Sequence, residues 1–469
     1  MTASAKPRTA KASASKTKRP ASAPAHDGSP RGVAAVRRSL DAIVRETGDL
    51  NAFLIVTADR ALAEATAQEA TAHTGPLAGL PIGVKDIIDL AGHPTRAGSK
   101  TRAQAAPAEK DAFVVAKLRA AGAIVVGKTN TVEYAFGGWG TNHAVGTPKN
   151  PWDRTVHRTP GGSSSGSGAA VGGGLVPAAL GTDTGGSVRL PAAFCGCVGL
   201  KTSIGLVSRA GVVPLSATLD TIGPLANSVR LCAEMLDVMQ GHDRDDPTTH
   251  GVSPVDPLGD LDRGIVGLRI GQLMDDQMPR MSPDIKASFE TALALLRDAG
   301  ASISPFRLPA TLEDYTLRRA ALMVPDAYAA HQPLVDDPVS PLHPDIRGRM
   351  AAAKTLSAVD HVRALDERRT DIDRFVWAMD RLDAIVLPTT FTTAIPVIQV
   401  DESVTPAFHT RFVNHLALAA LSVPIGLSPT GLPTSLQIVV RRFDDPLALR
   451  IGQAFETVRG VFPAPRNRA

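Results

Sequence analysis

The sequence of 469 residues is poor in cysteine, poor in aromatic residues and free of long apolar runs. Its three cysteines are at positions 195, 197 and 232. A small, odd number of cysteines argues against a disulfide framework and favours a reducing, cytoplasmic location. Cys195 and Cys197 are interpreted as small buried thiols because no His/Cys partner set has zinc spacing, so no metal or cofactor is expected. No window reaches the roughly 18 continuous apolar residues of a membrane span, so no membrane partner is expected.

Acidic residues are missing from the first twenty positions, which carry six lysines and arginines. These six account for the basic character of the chain: it has 50 basic and 46 acidic residues, and without the six the balance is 44 to 46. The rest of the chain is therefore slightly acidic, which argues against nucleic acid as a partner. Residues 1–30 are mostly Ala, Ser, Lys, Thr and Pro, and we interpret them as a disordered, inert basic tail.

From residue 31 onward, helical and strand-like patterns alternate. Alternation of this kind predicts strands that are joined by helices crossing the faces of a sheet. We therefore expect an α/β fold: one large α/β/α domain over residues 31–469, with a central mixed, mostly parallel twisted sheet covered by helices on both faces. The helical patterns cover residues 33–46, 110–122, 286–300 and 355–382, and the strand patterns cover 51–56, 77–89, 123–128, 301–306 and 383–390.

Three short patterns suggest chemistry, and two of them are weak. GSSSG (162–166) fits a nucleophile elbow around Ser164, but no strand pattern leads into it, as that motif requires. Asp183-Thr184-Gly185 is the tripeptide of aspartic proteases, but no second copy supplies the partner carboxylate. GTDTGGS (181–187) lacks the ending of a P-loop, although successive backbone N–H groups in such a turn can bind an anion.

A longer pattern covers residues 160–208 and reads PGGSSSGSGAAVGGGLVPAALGTDTGGSVRLPAAFCGCVGLKTSIGLVS. This pattern resembles the amidase signature family of serine-dependent amidohydrolases. Further blocks at 77–89, 121–142, 146–153 and 421–439 are similar to the same family, with the core of the signature at about 70–240. The triplet Gly172–Gly174 departs from the family, in which alanines are common there. Because glycine weakens a helix, the sequence leaves the length of the helix at this point open.

The resemblance implies a Ser-Ser-Lys triad. It assigns Ser187 as the nucleophile, Ser163 as a bridging serine on a cis peptide, and Lys85 as the base. The residues support this chemistry independently, since a serine hydroxyl needs a neighbouring base and lysine is a base only when neutral. Lys85 lies in the apolar run 80–88, where burial lowers the pKa of an amine. A hydroxyl both accepts and donates, so Ser163 can relay the proton.

The turn before Ser187 is expected to stabilise the tetrahedral intermediate. Its two glycines remove side chains where an oxyanion must meet backbone N–H groups. The resemblance assigns the oxyanion hole to the backbone amides of Thr184, Gly185, Gly186 and Ser187. Supporting positions are Ser164, Asp183 and Arg189, and we expect a structural Asp183–Arg189 ion pair rather than a substrate contact.

The segment GGWGTN (137–142) is a candidate for the acyl pocket, with Gly137, Gly138 and Trp139 as possible lining residues. Trp139 is equally compatible with shaping that pocket and with packing against the sheet. The substrate is expected to be a small amide, or a carbamate or urea. Its identity is not legible in the sequence.

We therefore predict a free-standing amidase that cleaves carbon–nitrogen bonds of linear amides other than peptide bonds. The acyl-enzyme would form on Ser187 and release ammonia or an amine. One alternative is the glutaminase-type A subunit of a tRNA-dependent amidotransferase; residues 345–365 lack the tyrosine-rich pattern expected of such a chain. Another alternative is a non-catalytic protein that binds a small anion. A homodimer is possible.

Overall fold

The structure is a computed structural model that describes residues 28–465. The predicted basic tail lies almost wholly outside the described residues, so its interpretation stays a prediction. Within the described part, no helix has the length and apolar character needed to cross a membrane.

An eleven-stranded sheet forms the centre of the described chain. Its strand order is β1-β3-β2-β4-β6-β5-β10-β11-β9-β7-β8. The strands are β1 (Phe53–Val56), β2 (Pro81–Lys85), β3 (Ile124–Thr129), β4 (Ala178–Asp183), β5 (Val198–Lys201), β6 (Thr221–Ala226), β7 (Arg269–Leu273), β8 (Ser302–Phe306), β9 (Ala384–Pro388), β10 (Ala419–Leu427) and β11 (Pro433–Val440).

Helices cover both faces of this sheet, as expected. In β3, Val125 packs into one apolar cluster while Ile124 and Val126 pack into another, because successive side chains of a strand point to opposite faces. The helices are α1 (Val33–Leu50), α2 (Ala58–Ala70), α3 (Phe113–Ala120), α4 (Ser165–Gly172), α5 (Arg189–Cys195), α6 (Val229–Met239), α7 (Pro283–Asp298), α8 (Leu312–Asp336), α9 (Pro344–Ala351), α10 (Ala358–Ala378), α11 (Arg411–His415) and α12 (Asp445–Arg459).

The sheet is mixed, as predicted, but the expectation that it is mostly parallel is wrong. Among the described strands, the parallel pairs are β2 with β3 and β4, and β7 with β8 and β9. The other six pairings are antiparallel. Parallel neighbours need a crossover such as α3 or α7, and those helices were legible in the sequence. Strands β10 and β11 instead form a hairpin around residues 428–432, because no helix separates them.

Local signals explain which helices were predicted. The pattern at 355–382 is α10, which starts at a capping box formed by Ser357 and Asp360. By contrast, α8 was not predicted, because Pro325 and Pro333 interrupt its sequence. Helix α4 ends within the glycine triplet at Gly172, so the helix whose length the sequence left open has eight residues.

Glycine at position 223 in β6 allows the neighbouring strand β5 to approach closely. A Cβ atom at this position would lie 1.9 Å from the carbonyl oxygen of Leu200. We predict that Gly223→Ala lowers the free energy of unfolding by about 1–3 kcal/mol, measured by urea denaturation, because the strands must separate. The control is Gly348→Ala in α9, where a Cβ meets no atom within 4 Å; equal losses in both variants would contradict the prediction.

Candidate active site

Lys85 is the last residue of β2, and its side chain is fully buried. Its Nζ atom is hydrogen-bonded to Ser163 Oγ and to Thr182 Oγ1, each at 2.8 Å. Burial lowers the pKa of the Lys85 amine to about 7, although the charges of Asp220 and Asp183 act in the opposite direction. A large fraction of this amine is therefore neutral near pH 7, as the sequence predicted.

Ser163 is held by its backbone. It follows a cis peptide bond from Gly162, so the cis peptide expected from the sequence is confirmed. The carbonyl oxygen of Ser163 accepts hydrogen bonds from the N–H of Val132 at 3.1 Å and from the hydroxyl of Thr131 at 3.0 Å. The N–H of Gly162 donates to the carbonyl oxygen of Gly138 at 2.7 Å. These contacts fix the position of Ser163 beside Lys85.

Ser187 lies in the turn between β4 and α5, and 8% of its surface is exposed. Its carbonyl oxygen accepts a hydrogen bond from the N–H of Ser164 at 3.2 Å, which ties the turn to the segment that carries Ser163. The Ser187 hydroxyl forms no hydrogen bond with any residue between 28 and 465, so the proton relay from Ser187 to Ser163 stays a prediction.

Ser164, the candidate of the nucleophile-elbow pattern, is fully buried. Its Oγ is hydrogen-bonded to both the carbonyl oxygen and the N–H of Thr182, each at 3.3 Å. The hydroxyl is thus occupied in linking α4 to β4. This geometry agrees with the supporting position predicted for Ser164 and disfavours it as a nucleophile.

The four backbone amides assigned to the oxyanion hole are not equivalent. The N–H of Gly186 donates to Asp183 Oδ1 at 2.7 Å, so it is already occupied within the turn. For the N–H groups of Thr184, Gly185 and Ser187, the described chain supplies no acceptor. Gly186 has φ +130°, and a Cβ there would lie 2.3 Å from Thr410 Oγ1, so glycine is required for the shape of the turn. The predicted oxyanion hole therefore keeps three candidate donors, the N–H groups of Thr184, Gly185 and Ser187.

Asp183 and Arg189 form the buried ion pair expected from the sequence. Arg189 donates to both carboxylate oxygens, at 2.9 and 3.0 Å. Burial raises the pKa of the Asp183 carboxyl, but the charge and hydrogen bonds of Arg189 outweigh it and hold that pKa below its usual range. The remaining Arg189 N–H groups bond to Gln437, Asn414 and the Thr410 carbonyl. All five donors of Arg189 are occupied, which favours a structural role.

A cavity of about 340 Å³ opens at Ser187, a volume suited to a small molecule. The predicted pocket residues Gly137, Gly138 and Trp139 all line it. Trp139 also stacks on Phe194 of α5, with ring centroids 6.1 Å apart, and its Nε1 donates to the Val404 carbonyl at 2.7 Å. Trp139 therefore both lines the cavity and packs against a helix.

Sequence reasoning missed four polar residues of the site. Thr182 was inside the signature pattern but received no role, although its hydroxyl lies against Lys85. Arg319, Arg349 and Arg411 line the cavity from α8, α9 and α11. Arginines on helices usually face solvent, and no local pattern marks these three, so only the tertiary fold brings them to Ser187.

A buried lysine that is hydrogen-bonded to one serine, with a second serine lining a cavity, is typical of an α/β enzyme of the hydrolase type. The amidase family model matches residues 34–449 of the chain. The protein therefore belongs to the amidase family, and the resemblance seen in the sequence is confirmed.

Individual relatives agree with this assignment. The chain is 34% identical over 463 residues to the A subunit of the glutamyl-tRNA(Gln) amidotransferase of Acidobacterium capsulatum, covering 92% of this chain and 97% of that one. A solved structure described as an unexpected vestigial protein complex that reveals the origins of an s-triazine catabolic enzyme is 31% identical, with a TM-score of 0.85 over 92% of this chain and 96% of that chain. The native peptide amidase from Stenotrophomonas maltophilia is 30% identical, with a TM-score of 0.81 over 94% and 96% of the two chains.

The Asp183–Arg189 pair is expected to dominate the stability of the turn between β4 and α5. We predict that Asp183→Asn lowers the free energy of unfolding by about 3–5 kcal/mol, because it leaves the guanidinium of Arg189 buried without a counter-charge. Urea denaturation measures this loss. Asp366→Asn is the matched control, since Asp366 pairs with Arg369 at the surface with both side chains mostly exposed. A loss no larger in Asp183→Asn than in the control would contradict the prediction.

Proposed function

We propose that the chain hydrolyses the carbon–nitrogen bond of a small amide through an acyl-enzyme on Ser187. The observation that carries this proposal is the hydrogen bond between Lys85 Nζ and Ser163 Oγ, in a place where burial lowers the pKa of the amine to about 7. A neutral amine next to a hydroxyl can accept its proton. Ser187, which faces the cavity, is the hydroxyl that a substrate can reach.

The reaction begins with two proton transfers. The Ser163 hydroxyl gives its proton to the lone pair of Lys85 and takes the proton of Ser187 as the Ser187 oxygen attacks the carbonyl carbon. An N–H of Lys85 donates to Thr182 and keeps the lone pair directed at Ser163. The carbonyl oxygen becomes an oxyanion, and the N–H groups of Thr184, Gly185 and Ser187 are the donors for it.

The intermediate then collapses. The proton held by Lys85 passes back through Ser163 to the leaving nitrogen, the C–N bond breaks, and ammonia or an amine departs. Water attacks the remaining ester by the same relay, which returns the acid product and the free Ser187 hydroxyl. Asp183 and Arg189 stabilise the turn and take no part in proton transfer, because their polar atoms are occupied by each other and by neighbouring residues.

A second candidate shares this chemistry: the glutaminase-type A subunit of an amidotransferase, which would release ammonia from glutamine for a partner chain. The relative from Acidobacterium capsulatum, matched over 97% of its length, carries that name. The named relatives support this candidate more strongly than the free-standing amidase that the sequence favoured. Turnover of glutamine by the isolated chain, beside a panel of simple amides, carbamates and ureas, separates the two candidates. A cytoplasmic location and a homodimer remain predictions.

Covalent labelling tests the nucleophile. We expect a fluorophosphonate to add one label to the wild-type chain and none to Ser187→Ala, measured by intact-mass spectrometry. Amide hydrolysis is lost together with the label. Ser164→Ala is the matched control, because it removes the competing serine while leaving Ser187, and it should still be labelled. Labelling that persists in Ser187→Ala would move the nucleophile elsewhere, and no labelling in any variant would favour the anion-binding alternative.

The pKa of Lys85 sets the expected pH dependence. Protonation of Lys85 removes the base. The value of kcat/KM for a neutral amide should therefore be highest above about pH 7 and fall about tenfold for each pH unit below it. The arginine in Lys85→Arg is a cation that does not deprotonate. The activity of this variant should therefore show no rise with pH between pH 5 and 10. A wild-type profile that is flat across pH 7 would contradict Lys85 as the base.

A further inference from the structure

Two arginines of the cavity lack a carboxylate partner. Between residues 28 and 465, no carboxylate oxygen lies within 4 Å of the guanidinium nitrogens of Arg319 or Arg411. Arg319 is only 4% exposed, and its Nε donates to the carbonyl oxygen of Thr184 at 3.1 Å. Its Nη2 contacts Met323 Sδ at 2.7 Å, and its Nη1 has no partner in the described chain. Burying a cation without a partner carboxylate is costly, and a bound anion would offset that cost.

Arg411 lies beside the same turn from another element. Its guanidinium group makes no hydrogen bond to the described residues, although it lines the cavity. The preceding residue, Thr410, donates its hydroxyl to the carbonyl oxygen of Gly185 at 2.6 Å. Burial, followed by the charge of Arg411, lowers the pKa of Arg319 to about 9, although the charges of Asp183 and Asp220 act in the opposite direction. Both arginines line the same cavity. An anion between the two guanidinium groups would offset both the cost of burial and the repulsion between the two positive charges.

The third arginine of the cavity is already neutralised. Arg349 Nη2 forms an ion pair with Glu402 Oε2 at 2.8 Å, and Glu402 also accepts a hydrogen bond from the Thr141 hydroxyl. Glu402 is the one carboxylate among the described lining residues. This described lining therefore presents two unpaired positive charges and no unpaired negative charge.

We propose that Arg319 and Arg411 form a carboxylate subsite, so that the substrate is a small amide that carries a carboxylate and no ammonium group. The inference rests on the proposed function and names its substrate class. Guanidinium groups bind carboxylates through paired, charge-assisted hydrogen bonds. An amino-acid amide such as glutamine also carries an ammonium group, for which the described lining offers no free carboxylate.

The carboxylate must lie close to the reacting carbonyl. A Cβ atom on Gly185 would be 2.6 Å from Arg319 Nη2, so the guanidinium borders the turn that presents Ser187. A short dicarboxylic acid monoamide suits a guanidinium group that borders the turn and a cavity of about 340 Å³. Succinamate is therefore a suitable probe, and butyramide, which has a methyl group in place of the carboxylate, is its neutral counterpart.

The test compares kcat/KM for succinamate and butyramide. For the wild type, we expect succinamate to be preferred about 10- to 100-fold. Arg411→Gln and Arg319→Gln should each remove most of this preference, because KM for succinamate rises by more than KM for butyramide. Arg411→Lys keeps the charge and should retain part of the preference. Arg307→Gln is the control, since Arg307 is 60% exposed and pairs with Asp276 outside the cavity.

Three results would overturn the subsite: equal kcat/KM for both probes in the wild type, equal losses on both probes in the variants, or faster turnover of glutamine than of succinamate. Succinate binding by calorimetry separates this failure from a failure of the proposed function. If Ser187→Ala binds succinate and the Arg411→Gln chain does not, the subsite is supported even where no amide is hydrolysed. If succinate binds both chains equally or binds neither, the subsite is refuted.

Discussion

The burial of the Lys85 amine is the constraint on which the site depends. Strand β2 lies between β3 and β4, and its side chains are buried throughout, so Nζ is removed from bulk water at the end of the strand. Keeping a charge there is costly, and the pKa falls to about 7. The nearby carboxylates of Asp183 and Asp220 favour the charged form, but burial outweighs them. The amine is thereby available as a base, and the hydroxyls of Thr182 and Ser163 give its polar atoms partners in place of water.

A second requirement is a fixed turn, which carries Ser187 at the wall of the cavity. The turn is organised around the Asp183 carboxylate, which accepts hydrogen bonds from the backbone of Gly186 and Val188 as well as from Arg189. Arg189 in turn links the turn to Asn414 and to Gln437 on the far strand β11. The same network occupies the N–H group of Gly186, while the N–H groups of Thr184, Gly185 and Ser187 have no acceptor in the described chain. The Asp183 carboxylate therefore both stabilises the turn and determines which of its N–H groups remain available to a ligand.

Much of this arrangement was legible in the sequence, because it depends on local patterns. The crossover from β2 through α3 to β3, the burial of Lys85 and the Gly-Gly-Ser turn each follow from residue type and spacing. The antiparallel half of the sheet was not legible, since the pairing of β5 with β10 joins segments about two hundred residues apart. Arg319 and Arg411 were missed for the same reason, since each reaches the site only when α8 and α11 pack on the turn. In addition, the two prolines of α8 prevented its sequence from being predicted as a helix.

The protonation state of Lys85 is the most direct test of this account. Nitrogen-15 NMR of lysine side chains reports each Nζ as ammonium or neutral amine, and the Lys85 signal is assigned as the one missing from Lys85→Met. The variant also keeps Lys201, a second buried lysine whose pKa burial lowers to about 7, in the spectrum for comparison. We expect the Lys85 signal to titrate with a midpoint near pH 7. A signal that stays in the ammonium form up to pH 10 would show that burial does not neutralise the amine, and the mechanism built on it would fail.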